Sequence, residues 1–380
     1  MKRLFYLGIV GIILFEVLNV YLIMPMPGSQ RMNSLDVAYF LHFHRWYFRI
    51  FFLLVALAGT IPAIKASQLK SIGMIMIAVA VSYLFNLRLT AERMFTQPLH
   101  LAFASRAENT LTDSSLVIAV SSGGTAKAYP IRYIGYHHQV RDTLDNKPIM
   151  VTYCTVCRTG KVFEPVVNGK PEIFRLVGMD HFNAMFEDAS TRSWWRQVNG
   201  EAVAGPLRGI QLPEIESQQL TLGKFFNLFP FGKVMRADEA SVDRYDSLGR
   251  YEKGTSENQL TRRDTLSWND KSWVVGIQIG KVSKAYDWNT LKQRGVINDV
   301  IENIPVAIVL SSDGNSFAAF ELPDSKYELS IQNDTLQINN LNFDFNGKGI
   351  PDSTIQLKKI NAYQEHWHSW STFHPGTLRY

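Results

Sequence analysis

Leu116-Val-Ile-Ala-Val-Ser-Ser-Gly-Gly-Thr-Ala-Lys-Ala-Tyr-Pro130 is the stretch on which the reading of this chain turns. A second stretch, Trp273-Val-Val-Gly-Ile-Gln-Ile-Gly-Lys-Val-Ser-Lys-Ala-Tyr-Asp287, aligns with it without a gap at a constant offset of 157 residues. Val117 meets Val274, and Lys127-Ala128-Tyr129 meets Lys284-Ala285-Tyr286. Further on, Asp142 meets Asp299, Pro148 meets Pro305, and Phe163-Glu164 meets Phe320-Glu321. Chance rarely keeps one ungapped register over about fifty residues, so the pattern reads as an internal duplication. Val117–Val120, Ile149–Tyr153, Val274–Ile277 and Val306–Leu310 are short apolar runs with β-branched content, the signature of strands. Asn168-Gly169, between Val166-Val167 and Lys170, is a strong hairpin signal. Helical periodicity is scarce after residue 110, so helices there should be short.

Upstream the chain changes character. Leu4–Met24, Trp46–Ile64 and Ser71–Leu87 are apolar stretches near the ~20 residues that span a bilayer core. Leu4–Met24 runs into Met24-Pro25-Met26-Pro27 with no small-x-small cleavage site, which favours a retained helix over a signal peptide. The formal charge is +5, but residues 1–90 hold eight Lys/Arg against Glu16 and Asp36, leaving 31 basic and 32 acidic side chains beyond. The remainder therefore has no electrostatic footprint for nucleic acid. Lys2, Arg3, Lys65 and Lys70 balance Arg31, Arg45, Arg88 and Arg93 across the spans, so the positive-inside count is a tie. The N-terminal Lys-Arg pair then sets the expectation of a bacterial inner-membrane protein whose soluble part lies in the periplasm or outside the cell. Glu16 lies mid-span, either functional or hydrogen-bonded toward the other helices near Asn19.

The expected architecture is thus N-terminal transmembrane α-helices followed by a mainly β (β-rich α+β) soluble region of two repeated modules. Residues 1–90 form the anchor with three transmembrane helices, and 105–235 the first module. Residues 236–265, polar and weakly periodic, form a connector, and 266–380 a degenerate second module.

The chain's two cysteines, Cys154 and Cys157, follow the strand Ile149–Tyr153. A Cys-x-x-Cys pair serves as a dithiol redox site, half a metal site or a small structural disulfide. In the second copy the same place holds Ser312-Asp313-Gly314-Asn315, a turn sequence, so the cysteines are expected on a turn between strands. A thioredoxin-like site needs a helix N-terminus there to lower the thiol pKa, and none is signalled. A structural zinc wants four ligands, whereas thiolates with Met and His suit copper. Met179 and His181 lie near in sequence and in the same copy, with core packing and a loop hydrogen bond as their plainer roles. Asp188, Thr191, Ser193, Trp195, Gln197 and Glu201 form a dense polar–aromatic segment that reads either as a ligand pocket or as a structural turn. His366, His368 and His374 are a secondary metal candidate, since on a strand His366 and His368 would share a face.

At these residues the chain resembles a bacterial family known as domain of unknown function 3179. The resemblance rests on Ala128-Tyr129-Pro130, Val151-Thr152-Tyr153-Cys154-x-x-Cys157 and Asp188-x-x-Thr191-x-Ser193-x-Trp195-x-Gln197-x-x-Gly200-Glu201-Ala202. It continues through Gly205-Pro206-Leu207-x-Gly209 and covers roughly residues 110–230, with the degenerate copy and the Trp370…His374-Pro375 ending beyond. The family implies no activity. Two readings of function follow. In the first, the protein is anchored in the membrane and binds copper or zinc, or exchanges disulfides, through Cys154 and Cys157. In the second it is a non-catalytic module whose cysteines are a structural clip and whose aromatic cleft holds a protein partner at the membrane. No Gly-x-Ser-x-Gly elbow, P-loop or Gly-x-Gly-x-x-Gly element supports hydrolase or nucleotide chemistry.

Overall fold

The computed structural model describes all 380 residues and divides into two compact units. The first comprises Met1–Thr96 and Glu172–Gln211, and the second Gln97–Pro171 and Leu212–Tyr380.

In the first unit, helix α1 (Lys2–Tyr21) is followed by the short α2 (Leu35–Phe43), then α3 (Arg45–Ala66) and α4 (Gln68–Tyr83). Lys2–Tyr21, Arg45–Ala66 and Gln68–Arg88 run for 20, 22 and 21 residues, and an 18-residue stretch of each has a mean hydropathy of 2.0, 1.9 and 1.6. At ~1.5 Å per residue each is long enough to cross a bilayer core. Small residues let α1 and α3 pack backbone to backbone: a Cβ on Gly59 would lie 2.3 Å from the Phe5 nitrogen. Glu16 is 2% exposed and accepts from Arg49 Nε and Nη2 at 2.7 and 2.9 Å, and from Asn86 Nδ2 at 3.0 Å. Its charge is therefore met by a cation on the next apolar helix rather than by Asn19. The inserted residues of this unit form one antiparallel sheet in the order Ala202–Ala204, Trp194–Arg196, Asn183–Asp188, Phe174–Asp180.

The second unit is β-rich. An antiparallel pair, Leu116–Ser122 and Thr125–Pro130, leads into helix Ile131–His137 and then strands Gln139–Leu144, Lys147–Cys154 and Thr159–Phe163. A run of the same order follows: Trp273–Ile279, Val282–Asp287, helix Trp288–Arg294, then Val296–Ile301, Ile304–Leu310 and Phe317–Glu321. Val151 opposes Val162 in the first run as Ile308 opposes Ala319 in the second. Each run closes with a strand (Gln218–Thr221, Ala362–His366), a helix (Leu222–Leu228, Trp367–Phe373) and a short parallel strand (Lys233–Met235, Leu378–Arg379).

The residues shared by the two stretches have a physical reason to be there. Tyr129 donates to Asp142 at 2.6 Å and Lys127 reaches the same carboxylate at 2.7 Å. Tyr286 and Lys284 do the same to Asp299 at 2.9 and 2.5 Å. Each triad ties the second strand of its run to the fourth element, and a buried hydroxyl or ammonium needs such a partner.

The two runs share one core, in which Val117, Ala128, Leu220 and Phe225 pack with Ala307, Val309, Phe320 and Leu336. The Asn168-Gly169 signal gives the hairpin Val166–Val167/Lys170–Pro171, with φ of 50° and 74° at the two central residues. The polar stretch 236–265 is more than a tether. It contains helix Val242–Glu252, whose Tyr245 and Tyr251 join the core and whose Glu252 pairs with Arg132 at 2.7 Å.

Gly276, in the strand Trp273–Ile279, is covered by the indole of Trp370, and a Cβ there would sit 2.2 Å from that ring. Gly276→Ala should therefore lower stability by roughly 1–3 kcal/mol through overpacking. Thermal unfolding of the full chain in detergent measures this, and an unchanged midpoint would contradict the packing described.

Candidate functional site

The cysteine segment forms the expected turn. Lys147–Cys154 and Thr159–Phe163 pair antiparallel, Cys154 opposes Thr159, and Thr155–Arg158 make the connection with Arg158 at φ 59°. The two cysteines are not joined in a disulfide, and both are fully buried.

The turn is held from three directions within the second unit. Arg158 is 1% exposed, donates to Gln364 Oε1 at 2.7 Å, and places its guanidinium 3.6 Å from the centre of the Trp273 ring. Lys271 Nζ donates to the carbonyls of Val156 at 2.9 Å and Leu260 at 2.6 Å. The carbonyl of Cys157 accepts from the backbone N–H of His366 at 2.8 Å. The C-terminal histidines and the cysteines, 209 residues apart between Cys157 and His366, thus meet main chain to main chain.

His366 ends the strand Ala362–His366, while His368 lies in the first turn of helix Trp367–Phe373. The expected single strand carrying both is not formed, and what aligns them is the segment they pack on. His366 Nδ1 lies 3.0 Å from the Lys271 carbonyl, and His368 Nδ1 lies 3.0 Å from the Asp270 carbonyl. A carbonyl only accepts, so each ring carries its proton on Nδ1 and leaves Nε2 as the basic nitrogen. The rings are 5.9 Å apart, and His366 Nε2 is buried with no hydrogen-bond partner. Burial, followed by the nearby Lys271 ammonium, holds the His366 pKa well below its usual value and that of His368 at about 4. Both imidazoles are therefore neutral at physiological pH, the form that binds a metal. Burial lowers Lys271 itself to about 8, and the adjacent thiols Cys157 and Cys154 oppose that shift. His374 caps the same helix: its ring stacks on Trp370 at 3.7 Å and its Nδ1 donates to the Trp370 carbonyl.

No three His, Cys, Asp or Glu side chains converge as an ion cage anywhere in the chain. The corresponding place in the other run is instructive. There the turn Ser311–Ser316 meets Thr221, whose N–H donates to Ser316 Oγ at 2.8 Å and whose hydroxyl donates to Asp313 at 2.9 Å. Ser, Thr and Asp satisfy one another fully at that position, whereas thiols and imidazoles occupy its counterpart.

Met179 and His181 lie in the first unit, and the cysteines in the second. Met179 donates its backbone N–H to Ile23, and His181 bridges Asp180 at 2.7 Å and Asn33 at 3.1 Å. The hydrogen bond to Asp180 raises the His181 pKa. The polar–aromatic segment, also in the first unit, closes on one carboxylate. Asp188 accepts from the Thr191 N–H at 2.5 Å and hydroxyl at 2.7 Å, from the Ser193 N–H at 3.0 Å, and from Trp195 Nε1 at 2.9 Å. Burial pushes the Asp188 carboxyl up, but the hydrogen bonds from Trp195, Thr191 and Ser193 outweigh it and hold its pKa below the ordinary value. Gln197 accepts from Asn183 at 3.1 Å, and Glu201 accepts from Asn199 at 3.1 Å. Lys271, Arg158 and Glu365 complete the cysteine neighbourhood. Of these, only Arg158 carried a sequence signal, by adjoining Cys157.

A family model described as "Protein of unknown function (DUF3179)" matches residues 97–377, and the chain belongs to that family. No curated protein and no solved structure matches it.

Glu365 is fully buried next to His366 and accepts from Ser369 Oγ at 2.8 Å. Burial raises its pKa to about 7, with Lys161 and Ser369 opposing. The folded state thus holds a proton that the unfolded chain releases at an ordinary carboxyl pKa. Its contribution is complete at low pH and is lost as pH rises through about 7. Glu365→Gln should melt higher than the parent at pH 8 and no higher at pH 4.5. A difference independent of pH would refute the assignment.

Proposed function

We propose that this protein is a membrane-anchored, periplasm-facing thiol–imidazole protein that binds a soft metal ion, Cu(I) in particular, through Cys154 and Cys157. The observation that carries the reading is a turn with two buried cysteines, not joined in a disulfide, that meets main chain to main chain a segment with two histidines whose Nδ1–H groups are committed to backbone carbonyls. Metal-binding histidines are oriented by such outer hydrogen bonds, which fix the tautomer and raise the basicity of the free nitrogen. Thiolates favour Cu(I) by softness, and two of them suffice for a linear Cu(I) complex. A four-ligand zinc site would need the imidazoles to move toward the thiols, because no three candidate ligands already converge. Binding forms two Cu–S bonds and releases two thiol protons. Lys271 favours that loss by standing beside both thiols as a cation. The burial of both cysteines supports a small ion as the partner over a second protein's disulfide.

The three apolar helices supply the anchor, and the Lys2-Arg3 terminus sets the orientation. We read the second run of elements as a degenerate copy of the first that lost the cysteines while its closing segment acquired the histidines. Under this reading the site is assembled from both copies.

Anaerobic loading of the full chain in detergent, followed by competition with a chromogenic Cu(I) chelator, tests the proposal. One equivalent of Cu(I) is expected, lost in Cys154→Ser/Cys157→Ser and bound at least tenfold more weakly in His366→Gln, with affinity rising with pH as thiols deprotonate. Retention of Cu(I) by the double variant would overturn it. So would a parent protein that binds no metal and instead forms a Cys154–Cys157 disulfide that exchanges with added dithiols.

A further inference from the structure

Where α1 ends and α3 begins, the first unit encloses a cavity of about 140 Å³. That is room for roughly four or five waters at ~30 Å³ each. Its wall includes Asn19 from the last turn of α1, His42, Arg45 at the start of α3, Thr90 and Arg175. Asn19 Oδ1, His42 Nδ1 and Thr90 Oγ1 are all buried without a hydrogen-bond partner, and Asn19 is 5% exposed. Three such atoms around one cavity are more than a folded core usually tolerates, at about 1–3 kcal/mol apiece.

The polarity of these groups can be read from their neighbours. Arg175 Nη2 lies 3.3 Å from His42 Nε2. A guanidinium only donates, so Nε2 accepts and the proton of this imidazole sits on Nδ1. The orphan on His42 is therefore a donor. The Thr90 hydroxyl is free to donate as well, and a flip of the Asn19 amide turns a donor to the same space. The cations divide similarly. Arg49 is matched by Glu16 at 2.7 Å, and Arg175 by Glu187 at 2.7 Å and Glu92 at 3.2 Å. Arg45 gives one hydrogen bond, to the His42 carbonyl at 2.7 Å, and forms no ion pair.

We propose that this cavity is a binding site for a phosphate oxyanion, with Arg45 supplying the charge and His42, Thr90 and Asn19 the hydrogen bonds. One unmatched guanidinium suits a singly charged phosphodiester. Because the cavity lies at one end of three helices read above as membrane spans, the phosphodiester of a phospholipid headgroup is the source that fits best. Free inorganic phosphate shares the chemistry.

The test uses the full chain purified in a neutral maltoside detergent and follows thermal unfolding and binding. Phosphatidylglycerol should stabilise the parent, diacylglycerol of the same acyl chains should not, and Arg45→Gln should weaken the effect at least tenfold. Thr90→Val, which leaves every charge in place, should weaken it severalfold and guards against misfolding of the arginine variant. Stabilisation by millimolar inorganic phosphate without lipid would uphold the site and assign it to the free ion. Equal effects of phosphatidylglycerol and diacylglycerol, or variants that respond as the parent does, would overturn it. Metal loading at the cysteines is read separately, so failure here leaves that proposal standing.

Discussion

A single backbone hydrogen bond, from His366 N–H to the Cys157 carbonyl, decides what the cysteines have for neighbours. Buried backbone groups must be paired, and a turn at the end of a hairpin has no ladder to pair with. The strand Ala362–His366, already zipped to Trp273–Ile279 over five residue pairs, supplies the missing donor at its last position. Its register is therefore fixed twice, by the sheet and by the turn. A slip by one residue would exchange the faces that His366 and Glu365 occupy and leave the Cys157 carbonyl unmet. Lys271 and Arg158 add to the same constraint. Arg158 is a buried and Lys271 a half-buried cation, and each donates to backbone or amide oxygens around the turn. Neither can leave without stranding buried carbonyls.

The two turns of the second unit contrast chemically while occupying corresponding places. Around Thr221 the side chains at the junction hydrogen-bond to one another, with Asp313 and Ser316 answering the threonine and Lys224 answering Asp334. That arrangement explains itself as structure. Around Cys157 the residue types are soft or titratable, and the lone pair of His366 Nε2 meets nothing. The contrast separates what the fold requires at such a junction from what it does not. A serine–aspartate turn meets the fold's needs, so thiols and imidazoles there ask for an explanation beyond folding.

Much of the β framework was legible because its signals are local. Val117–Val120 and Val306–Leu310 are apolar and β-branched, and Asn168-Gly169 tolerates the positive φ that its turn demands. The equal spacing of Lys127, Tyr129 and Asp142 with Lys284, Tyr286 and Asp299 also pointed to equivalent ladders, since one carboxylate gathers both donors in each case. The helix Val242–Glu252 was not legible. Its core-facing side is Tyr245, Tyr251 and the partly buried Leu248, set among charged and polar residues, so no continuous aliphatic stripe announced it. The site was half legible. The cysteine turn was visible through its serine–aspartate counterpart. Its histidine neighbours were not, because they come from the other copy, whereas His181 lies in the same copy as the cysteines. Residues 172–211 leave the β-rich unit altogether, carrying Met179 and His181 with them. The partners come instead from a segment that follows the whole second run, and nothing in spacing encodes that crossing.

The segment from Asp188 to Trp195 shows why a dense polar motif need not be a reaction centre. One carboxylate there receives two backbone N–H groups, a hydroxyl and an indole N–H, which fills its acceptor capacity. The ring of Trp195 is 1% exposed and Asp188 is fully buried. A group so completely satisfied has little left to offer a ligand, and its lowered pKa keeps it an acceptor in any ordinary buffer. The residues around Cys157 stand at the other extreme. His366 is neutral, its proton is fixed on Nδ1, and its second nitrogen is buried without a partner, while its backbone N–H meets the cysteine turn. Leaving such a group unmatched costs the fold about 1–3 kcal/mol that an apolar side chain of similar size would not.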